Sequence, residues 1–351
     1  MDPTAIRALL SEGLAIPAQP LALDAQRRLS EKHQRAISRY YLEAGVGGLA
    51  VGVHSTQFEI REPQHGLFEP VLSLASEEID RHVAHTGRPV AKITGLCGDT
   101  AQAMAEAELA ARLGYHAGLL SLAAMKEADI DALVAHCTEV ARHFPIIGFY
   151  LQPSVGGRVL PLEFWRRFVE IENVVAIKMA PFNRYQTIDV ARAVIEAGRN
   201  DIALYTGNDD SIVTDLLTDW IFPHRDRLVR RHIAGGLLGH WGVWTRKAVE
   251  QLERIKLARG GENLAADWLV EAVAVTDMNA ALFDAANKFH GCIPGILEVL
   301  RRQGLAPSTC CLNPQETLSP GQSEELDRVM LAYPHLVDDD FVAANLDRWL
   351  S

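Results

Sequence analysis

The sequence predicts an α/β fold, a (β/α)8 TIM barrel followed by a C-terminal helical extension. Three features predict it: eight short apolar segments, amphipathic stretches between them, and a purely helical pattern after residue 250. Short apolar runs are typical of strands buried on both faces of a parallel sheet, and their alternation with helices indicates βαβ units. Eight such units in roughly 250 residues match the usual length of a closed barrel.

The eight predicted strands are bounded by Gly, Pro or charged residues. They span residues 14–19, 48–53, 89–94, 117–122, 145–151, 174–179, 202–207 and 232–238. Residues 101–115 illustrate the helices between them, because apolar residues recur there at spacings of three and four. Asp99 and Thr100 precede this stretch as candidate N-caps. An open doubly wound sheet is the alternative fold, but no G-x-G-x-x-G follows the first strand and no G-x-x-x-x-G-K-[ST] occurs.

The C-terminal part is predicted to divide from the barrel at residue 250. This gives a barrel domain at 1–250 and a helical region at 251–351. Helices are expected at 264–289 and 294–304, and two short helices are expected near the end. The segment 306–322 is rich in Pro, Ser and Thr and predicts a connecting loop.

Composition and charge exclude several classes of partner. The net charge of −11 opposes nonspecific binding to nucleic acid or to anionic membranes. No run of about 18 apolar residues suggests a membrane span, and the N-terminus does not read as a secretory signal. Five cysteines at no metal-like spacing predict free thiols in a reducing cytoplasm. The histidines show no metal-binding pattern, so no metal site is expected.

Two residues that can carry chemistry end predicted strands. Tyr150 ends the fifth strand and Lys178 ends the sixth, and the reactive residues of such barrels lie at C-terminal strand ends. Apolar surroundings lower the pKa of a lysine, so that its neutral amine can attack a carbonyl carbon. A phenol on the adjacent strand can shuttle protons. The alternatives are a surface cation for Lys178 and a core ring for Tyr150.

The segments around both residues resemble motifs of the dihydrodipicolinate synthase and N-acetylneuraminate lyase family, which are Schiff-base-forming class I aldolases. YLQPSVGG at 150–157 resembles the family's YNxPxxTG, which carries a proton-shuttling tyrosine. VVAIKMA at 174–180 resembles its IxGIKEA, which carries the Schiff-base lysine. The 28-residue separation of Tyr150 and Lys178 is the one expected in the family. The resemblance therefore implies catalytic roles for both.

Further segments extend the resemblance over nearly the whole chain. EAGVGGLAVG at 43–52 resembles EAGVDGLVVLG, and TGNDD at 206–210 resembles the SGDD that follows the family's seventh strand. The likeness runs from about residue 14 to about residue 335. It implies that the enzyme requires neither a cofactor nor a metal.

The loop after the second strand departs from the family's GTTGE segment, which binds the keto-acid carboxylate. Residues 53–57 read VHSTQ here. Ser55 keeps a hydroxyl where the family has its relay threonine, so the resemblance implies a catalytic role for Ser55 and a hydrogen bond to Tyr150. The new His54 is either a proton donor or a packed ring. The residues expected to bind substrate are His54, Thr56, Gly207 and Leu237.

Two other departures concern the second substrate of the synthase. The family's TPYY after strand four is replaced by LAAMK at 122–126, so the tyrosine that reaches across a dimer interface has no counterpart. Val155 stands where the synthase has its carboxylate-binding arginine, and Arg158 lies nearby in sequence. These losses argue against the lysine-biosynthetic reaction itself.

The sequence therefore predicts a cytoplasmic lyase or aldolase that acts on pyruvate or another 2-keto acid through Lys178. The alternatives are a sugar-acid dehydratase of the same family and a non-catalytic ligand-binding homologue. The expected partner is a small-molecule 2-keto acid, with neither nucleic acid nor membrane. A homodimer or homotetramer is expected, because family members commonly associate and residues 264–289 are apolar around much of a helix.

Overall fold

The computed structural model describes residues 2–261 and 263–351. Ten strands occur in these ranges: β1 (Ala15–Pro17), β2 (Gly48–Val51), β3 (Ala91–Leu96), β4 (Ala117–Leu120), β5 (Ile146–Leu151), β6 (Val174–Ala180), β7 (Ala203–Thr206), β8 (Trp220–His224), β9 (Arg227–Arg231) and β10 (Gly235–Leu238). Eight of them, β1 to β7 and β10, form one sheet of parallel strands. Each of the eight lies within three residues of its predicted position.

The order of the strands makes the sheet a barrel. It runs β1-β10-β7-β6-β5-β4-β3-β2, and the two end strands meet at a parallel bridge between Ala18 and Ala50. The Gln19 N–H also donates to the Ala50 carbonyl at 2.9 Å. The predicted (β/α)8 barrel is therefore confirmed.

An antiparallel hairpin of β8 and β9 precedes the last barrel strand and was not predicted. Its turn contains Arg225, whose φ is 53°. Two-residue hairpin turns with positive φ usually carry Asn-Gly or Asp-Gly, so Arg225-Asp226 gives no recognisable turn signal.

Thirteen α-helices complete the described ranges. They are α1 (Pro3–Ser11), α2 (Glu31–Ala44), α3 (Phe68–Thr86), α4 (Thr100–Arg112), α5 (Ile130–His143), α6 (Leu162–Phe168), α7 (Arg184–Glu196), α8 (Ile212–Leu217), α9 (Thr245–Arg259), α10 (Asp267–Leu282), α11 (Cys292–Arg302), α12 (Gln322–Ala332) and α13 (Asp339–Trp349). The predicted N-cap of α4 is present, because the Asp99 carboxylate accepts the Gln102 N–H at 2.9 Å. Within the described ranges, no helix is both long and apolar enough to cross a membrane.

The chain forms two compact units, each built from two segments. The first contains residues 2–14 and 91–237, and therefore β3 to β9 with α1 and α4 to α8. Here α1 lies beside the start of β6, since the Arg7 guanidinium donates to the Val174 carbonyl at 3.1 Å and pairs with Asp201 at 3.0 Å. Because α1 covers the N-terminal end of β6, the C-terminal end is left for a site.

The second unit contains residues 15–90 and 238–351, in which the C-terminal helices pack around α2 and α9. A buried carboxylate joins them: Asp338, just before α13, accepts the Tyr40 hydroxyl at 2.7 Å and the Arg246 N–H at 3.0 Å. Tyr40 lies on α2 and Arg246 on α9. The helical extension is thus confirmed, whereas the predicted domain boundary at residue 250 stays a prediction.

Candidate active site

Lys178 lies near the C-terminal end of β6, in a run of buried residues. The four residues before it, Val-Val-Ala-Ile, are all buried, and the lysine itself is 8% exposed. In the register of the parallel sheet, Lys178 pairs with Phe149 of β5 and with Tyr205 of β7. Its Nζ lies 4.7 Å from the centre of the Phe149 ring. The amine therefore ends a buried strand beside an aromatic face.

Gly207 makes room for the lysine stem. A Cβ atom at this position would lie 2.5 Å from Lys178 Cε and 2.9 Å from the Cβ of Ala180. The Gly207 N–H donates to the Met179 carbonyl at 2.7 Å, which holds the backbone in this close approach. The structure thus brings Gly207 against the lysine, and its predicted contact with substrate stays a prediction.

Burial changes the ionisation of Lys178. Removal of the ammonium from water lowers the pKa of Lys178 from 10.5 to about 8, and the negative charge of Asp209 opposes this shift. A lysine with this pKa is neutral in roughly a tenth of molecules at pH 7. The fraction of unprotonated amine at neutral pH is therefore far larger than for a solvated lysine.

The loop that follows β7 is held by a buried polar network. The fully buried Asp215 carboxylate accepts the Thr206 hydroxyl and the Asn208 side-chain amide, each at 2.8 Å, and also pairs with Arg184. The Asn208 side-chain carbonyl accepts the Phe182 N–H at 3.0 Å. Hydrogen bonds hold the Asn208 side chain to both Asp215 and Phe182. The backbone position of the next residue, Asp209, is therefore fixed as well.

Tyr150 does not share a side of the sheet with Lys178. Its partner in the ladder is Met179, and successive strand residues point to opposite faces. The Tyr150 ring packs against Trp165 of α6 with centroids 5.4 Å apart, and its hydroxyl accepts the Leu160 N–H at 3.1 Å. Burial raises the pKa of this phenol. Phe149 takes the place beside the amine, and the relay role of Tyr150 stays a prediction.

The segment after β2 forms a short 3-10 turn, His54–Thr56. The Thr56 hydroxyl donates to the Gln19 carbonyl at 2.7 Å and accepts the Gly52 N–H at 2.9 Å. Its proton thus holds the loop, and its predicted contact with substrate stays a prediction. Ser55 is buried, and the His54 ring lies 6.0 Å from that of Phe58. The roles of His54 and Ser55 stay predictions.

Arg158 and Leu237 complete the residues singled out in the sequence. The Arg158 guanidinium donates to the carbonyls of Met125 and Ala128, the latter at 3.0 Å, and so ties the loop after β5 to the loop after β4. Leu237 is buried in β10, one residue before the strand ends. Its substrate contact stays a prediction. Among the described residues, no group of His, Cys, Asp and Glu is arranged to hold a metal ion.

Asp209 is the site residue that sequence reasoning missed. It is 4% exposed, and its charge acts on the Lys178 amine. The TGNDD motif drew attention to the loop, but acidic residues in a loop are mostly solvated. Only the packing of the loop against β6 shows that this carboxylate is buried.

Much of the chain matches a known protein family. The sequence model of the "Dihydrodipicolinate synthetase family" matches residues 14–218. A 4-hydroxy-tetrahydrodipicolinate synthase of Thermoanaerobacter sp. (strain X514) is 32% identical over 127 residues, which are 36% of this chain and 41% of that protein. The matched segments span half or less of the length of such curated relatives.

Solved structures resemble the fold over almost the whole chain. An N-acetylneuraminate lyase from Fusobacterium nucleatum superimposes with a TM-score of 0.70 at 16% identity, covering 93% of this chain and 100% of that one. A chloride-inhibited dihydrodipicolinate synthase from Acinetobacter baumannii, complexed with pyruvate, gives 0.71 at 17% identity, covering 91% and 98%. At such identities the likeness supports the fold alone.

Proposed function

Because the chain belongs to the dihydrodipicolinate synthetase family, we propose that it is a lyase of the class I aldolase type that forms a Schiff base between Lys178 and a 2-keto acid such as pyruvate. One observation carries the proposal: a lysine buried at the end of β6, with a pKa of about 8. A neutral amine in this position can attack a carbonyl carbon, whereas a solvated ammonium cannot.

The proposed chemistry uses the iminium as an electron sink. The Lys178 amine adds to the keto carbon, water leaves, and the resulting cation withdraws electrons from the neighbouring carbon–carbon bonds. Loss of a proton from C3 then gives an enamine that adds to an aldehyde, and the reverse path cleaves the same bond. Neither direction requires a metal or an organic cofactor.

The lysine-biosynthetic reaction is not part of the proposal. Val155 cannot pair with the carboxylate of a second substrate, because its side chain is apolar. The Arg158 guanidinium, the nearest cation in sequence, is bonded to the Met125 and Ala128 carbonyls. Both bonds are donated by Nη1 and fix the guanidinium against the loop after β4, so moving it to the position of the Val155 side chain would break them.

Self-association is also part of the proposal. On α10, Leu269, Val270 and Val273 are 65%, 71% and 67% exposed. Spacings of three and four place them on one face of the helix, and contiguous exposed apolar surface marks an interaction site. We infer a homodimer or homotetramer that covers this face. A cytoplasmic location is proposed from the five free cysteines, which persist as thiols in a reducing compartment.

The deciding experiment is reductive trapping followed by mass spectrometry. The protein is incubated with a panel of 2-keto acids and borohydride, and the adducts are located by peptide mapping. We expect one stable adduct, on Lys178, for pyruvate or another member of the panel. A folded protein that traps none of them would refute the Schiff-base mechanism and favour a ligand-binding role.

A further inference from the structure

The surroundings of the Lys178 amine depend on the loop after β7. A Cβ atom at Gly207 would lie 2.5 Å from Lys178 Cε and 3.0 Å from its Cγ, so the loop backbone packs along the lysine stem. This packing keeps water from the amine, and exclusion of water is what lowers the pKa of Lys178. A displacement of Gly207 would therefore expose the amine to solvent.

The residues on either side of Gly207 are tied to one carboxylate oxygen. The Thr206 hydroxyl and the Asn208 side-chain amide both donate to Oδ2 of Asp215, each at 2.8 Å. The other oxygen, Oδ1, accepts from the Arg184 guanidinium. Asp215 is fully buried, so loss of its carboxylate would leave buried donors unsatisfied. The carboxylate thus anchors the backbone before and after the glycine.

Asn208 also joins this loop to the strand that carries the lysine. Its side-chain amide donates to the Thr187 hydroxyl at 3.0 Å, and its side-chain carbonyl accepts the Phe182 N–H at 3.0 Å. Phe182 lies between β6 and α7, and Thr187 lies on α7. Both amide hydrogens of Asn208 and its oxygen are therefore engaged, which gives the side chain a single orientation.

We propose that Asn208 and Asp215 are positioning residues for the reaction of Lys178, which hold Gly207 against the lysine stem and keep the amine out of water. The proposal rests on the proposed function and adds two residues to it. Both residues act through the loop backbone and not on the reacting atoms.

The test measures the pKa of the Lys178 amine by NMR, from the pH dependence of its Cε shift in protein labelled with carbon-13 lysine. Lys178→Arg assigns the resonance, and the measurement needs no keto acid. Asn208→Leu is similar in size and changes no charge. It should raise the pKa of Lys178 by about one unit or more, because the loosened loop admits water. Trapping of pyruvate at pH 7, with cyanoborohydride in saturating excess, should then slow about tenfold or more, as the neutral amine becomes scarcer.

Two substitutions of Asp215 separate hydrogen bonding from charge. Asp215→Leu removes both, whereas Asp215→Asn removes the charge but keeps an oxygen that accepts from the loop donors. Loss of a negative charge lowers the pKa of a nearby lysine, and entry of water raises it. Asp215→Leu should therefore raise the pKa of Lys178, and Asp215→Asn should shift it far less. The other charges at the site, Asp209 beside the amine and Arg184 and Asp210 beside Asp215, are the same in both variants. A fall of the lysine pKa in Asp215→Leu would overturn the proposal.

Asp338 provides the matched control. It is also a buried carboxylate, and it accepts the Tyr40 hydroxyl at 2.7 Å in the second compact unit. Asp338→Leu should destabilise the protein in chemical denaturation, because it leaves this hydroxyl without its acceptor, and should not change the pKa of Lys178. An equal rise of the lysine pKa in this variant would show a general effect of destabilisation and would overturn the proposal.

A folded Asn208→Leu variant with the wild-type pKa at Lys178 would also overturn the proposal. If that variant fails to fold, Thr206→Val decides, because it removes one of the two donations to Asp215 and should raise the lysine pKa by a smaller amount. Failure of the wild-type protein to trap any 2-keto acid would refute the proposed function instead. A raised lysine pKa in Asn208→Leu would still show that the pair positions the amine.

Discussion

The rate at which Lys178 forms an adduct with a 2-keto acid is expected to depend on pH as the ionisation of a buried amine does. With a pKa of about 8 instead of 10.5, the neutral fraction at pH 7 is roughly 300 times that of a solvated lysine. On the flanking strands, the residues paired with Lys178 are Phe149 and Tyr205, and the buried carboxylate of Asp209 in the loop after β7 also acts on the charge of the amine. The rate of adduct formation should therefore rise through about pH 8 and level off above it.

The assay measures initial rates of adduct formation with pyruvate and cyanoborohydride from pH 6 to 10. Cyanoborohydride is kept in saturating excess at every pH, so that Schiff-base formation and not reduction limits the rate. Protonation removes the nucleophile, so the rate of adduct formation is lost as the pH falls below the lysine pKa. The midpoint gives the pKa of Lys178 in the folded protein.

Lys92 is the matched control within the chain. It is also a buried strand lysine, but it is the second residue of β3 and therefore lies near the opposite end of its strand. We expect no adduct on Lys92 under conditions that label Lys178 fully. A midpoint near 10.5, or labelling of both lysines at similar rates, would refute the argument from burial.

Three further predictions concern the neighbouring glycine, the reaction and the assembly. Gly207→Ala should destabilise the protein by about 1–3 kcal/mol in chemical denaturation and slow trapping, because the new methyl group overlaps the stem of Lys178; unchanged trapping and stability would contradict the close packing. The purified protein should not condense pyruvate with aspartate semialdehyde efficiently, because Val155 cannot make a charge-assisted contact with the carboxylate of the semialdehyde. Robust turnover in a coupled assay would show that another cation binds this carboxylate. Val270→Asp on α10 should reduce the mass measured by light scattering, whereas Leu228→Asp, equally exposed on the hairpin, should not. A wild-type monomer at micromolar concentration would refute the assembly.

The location of the barrel strands was predictable because local chemistry determines it. A strand buried on both faces must be apolar throughout, and this leaves short runs such as 174–179 that stand out among amphipathic helices. A lysine that ends such a run is conspicuous for the same reason, so Lys178 could be identified from its sequence context. The hairpin of β8 and β9 was missed because β8 contains a proline, β9 carries three arginines, and the turn between them has no glycine.

The composition of the site depended on tertiary contacts. The 28-residue separation of Tyr150 and Lys178 matches the family and implies a relay role for Tyr150, but the side on which a side chain points depends on register, and a shift of one residue reverses it. In the register of β5 and β6, Phe149 pairs with Lys178, and the Tyr150 ring lies on the other side of the sheet against Trp165. Spacing alone could not have distinguished these arrangements.

Apolar runs are local properties of the chain, and so is a charge at the end of one. The barrel and its family therefore follow from the amino-acid sequence, which also singles out Lys178 as the candidate nucleophile. Which side chains lie beside Lys178 is determined instead by tertiary packing. Asp209 is buried in a loop that the Asn208 side chain ties to Phe182 after β6, and Arg158 is engaged because the loops after β4 and β5 meet there. Such contacts join residues far apart in the chain, and their energies arise only when the strands have packed.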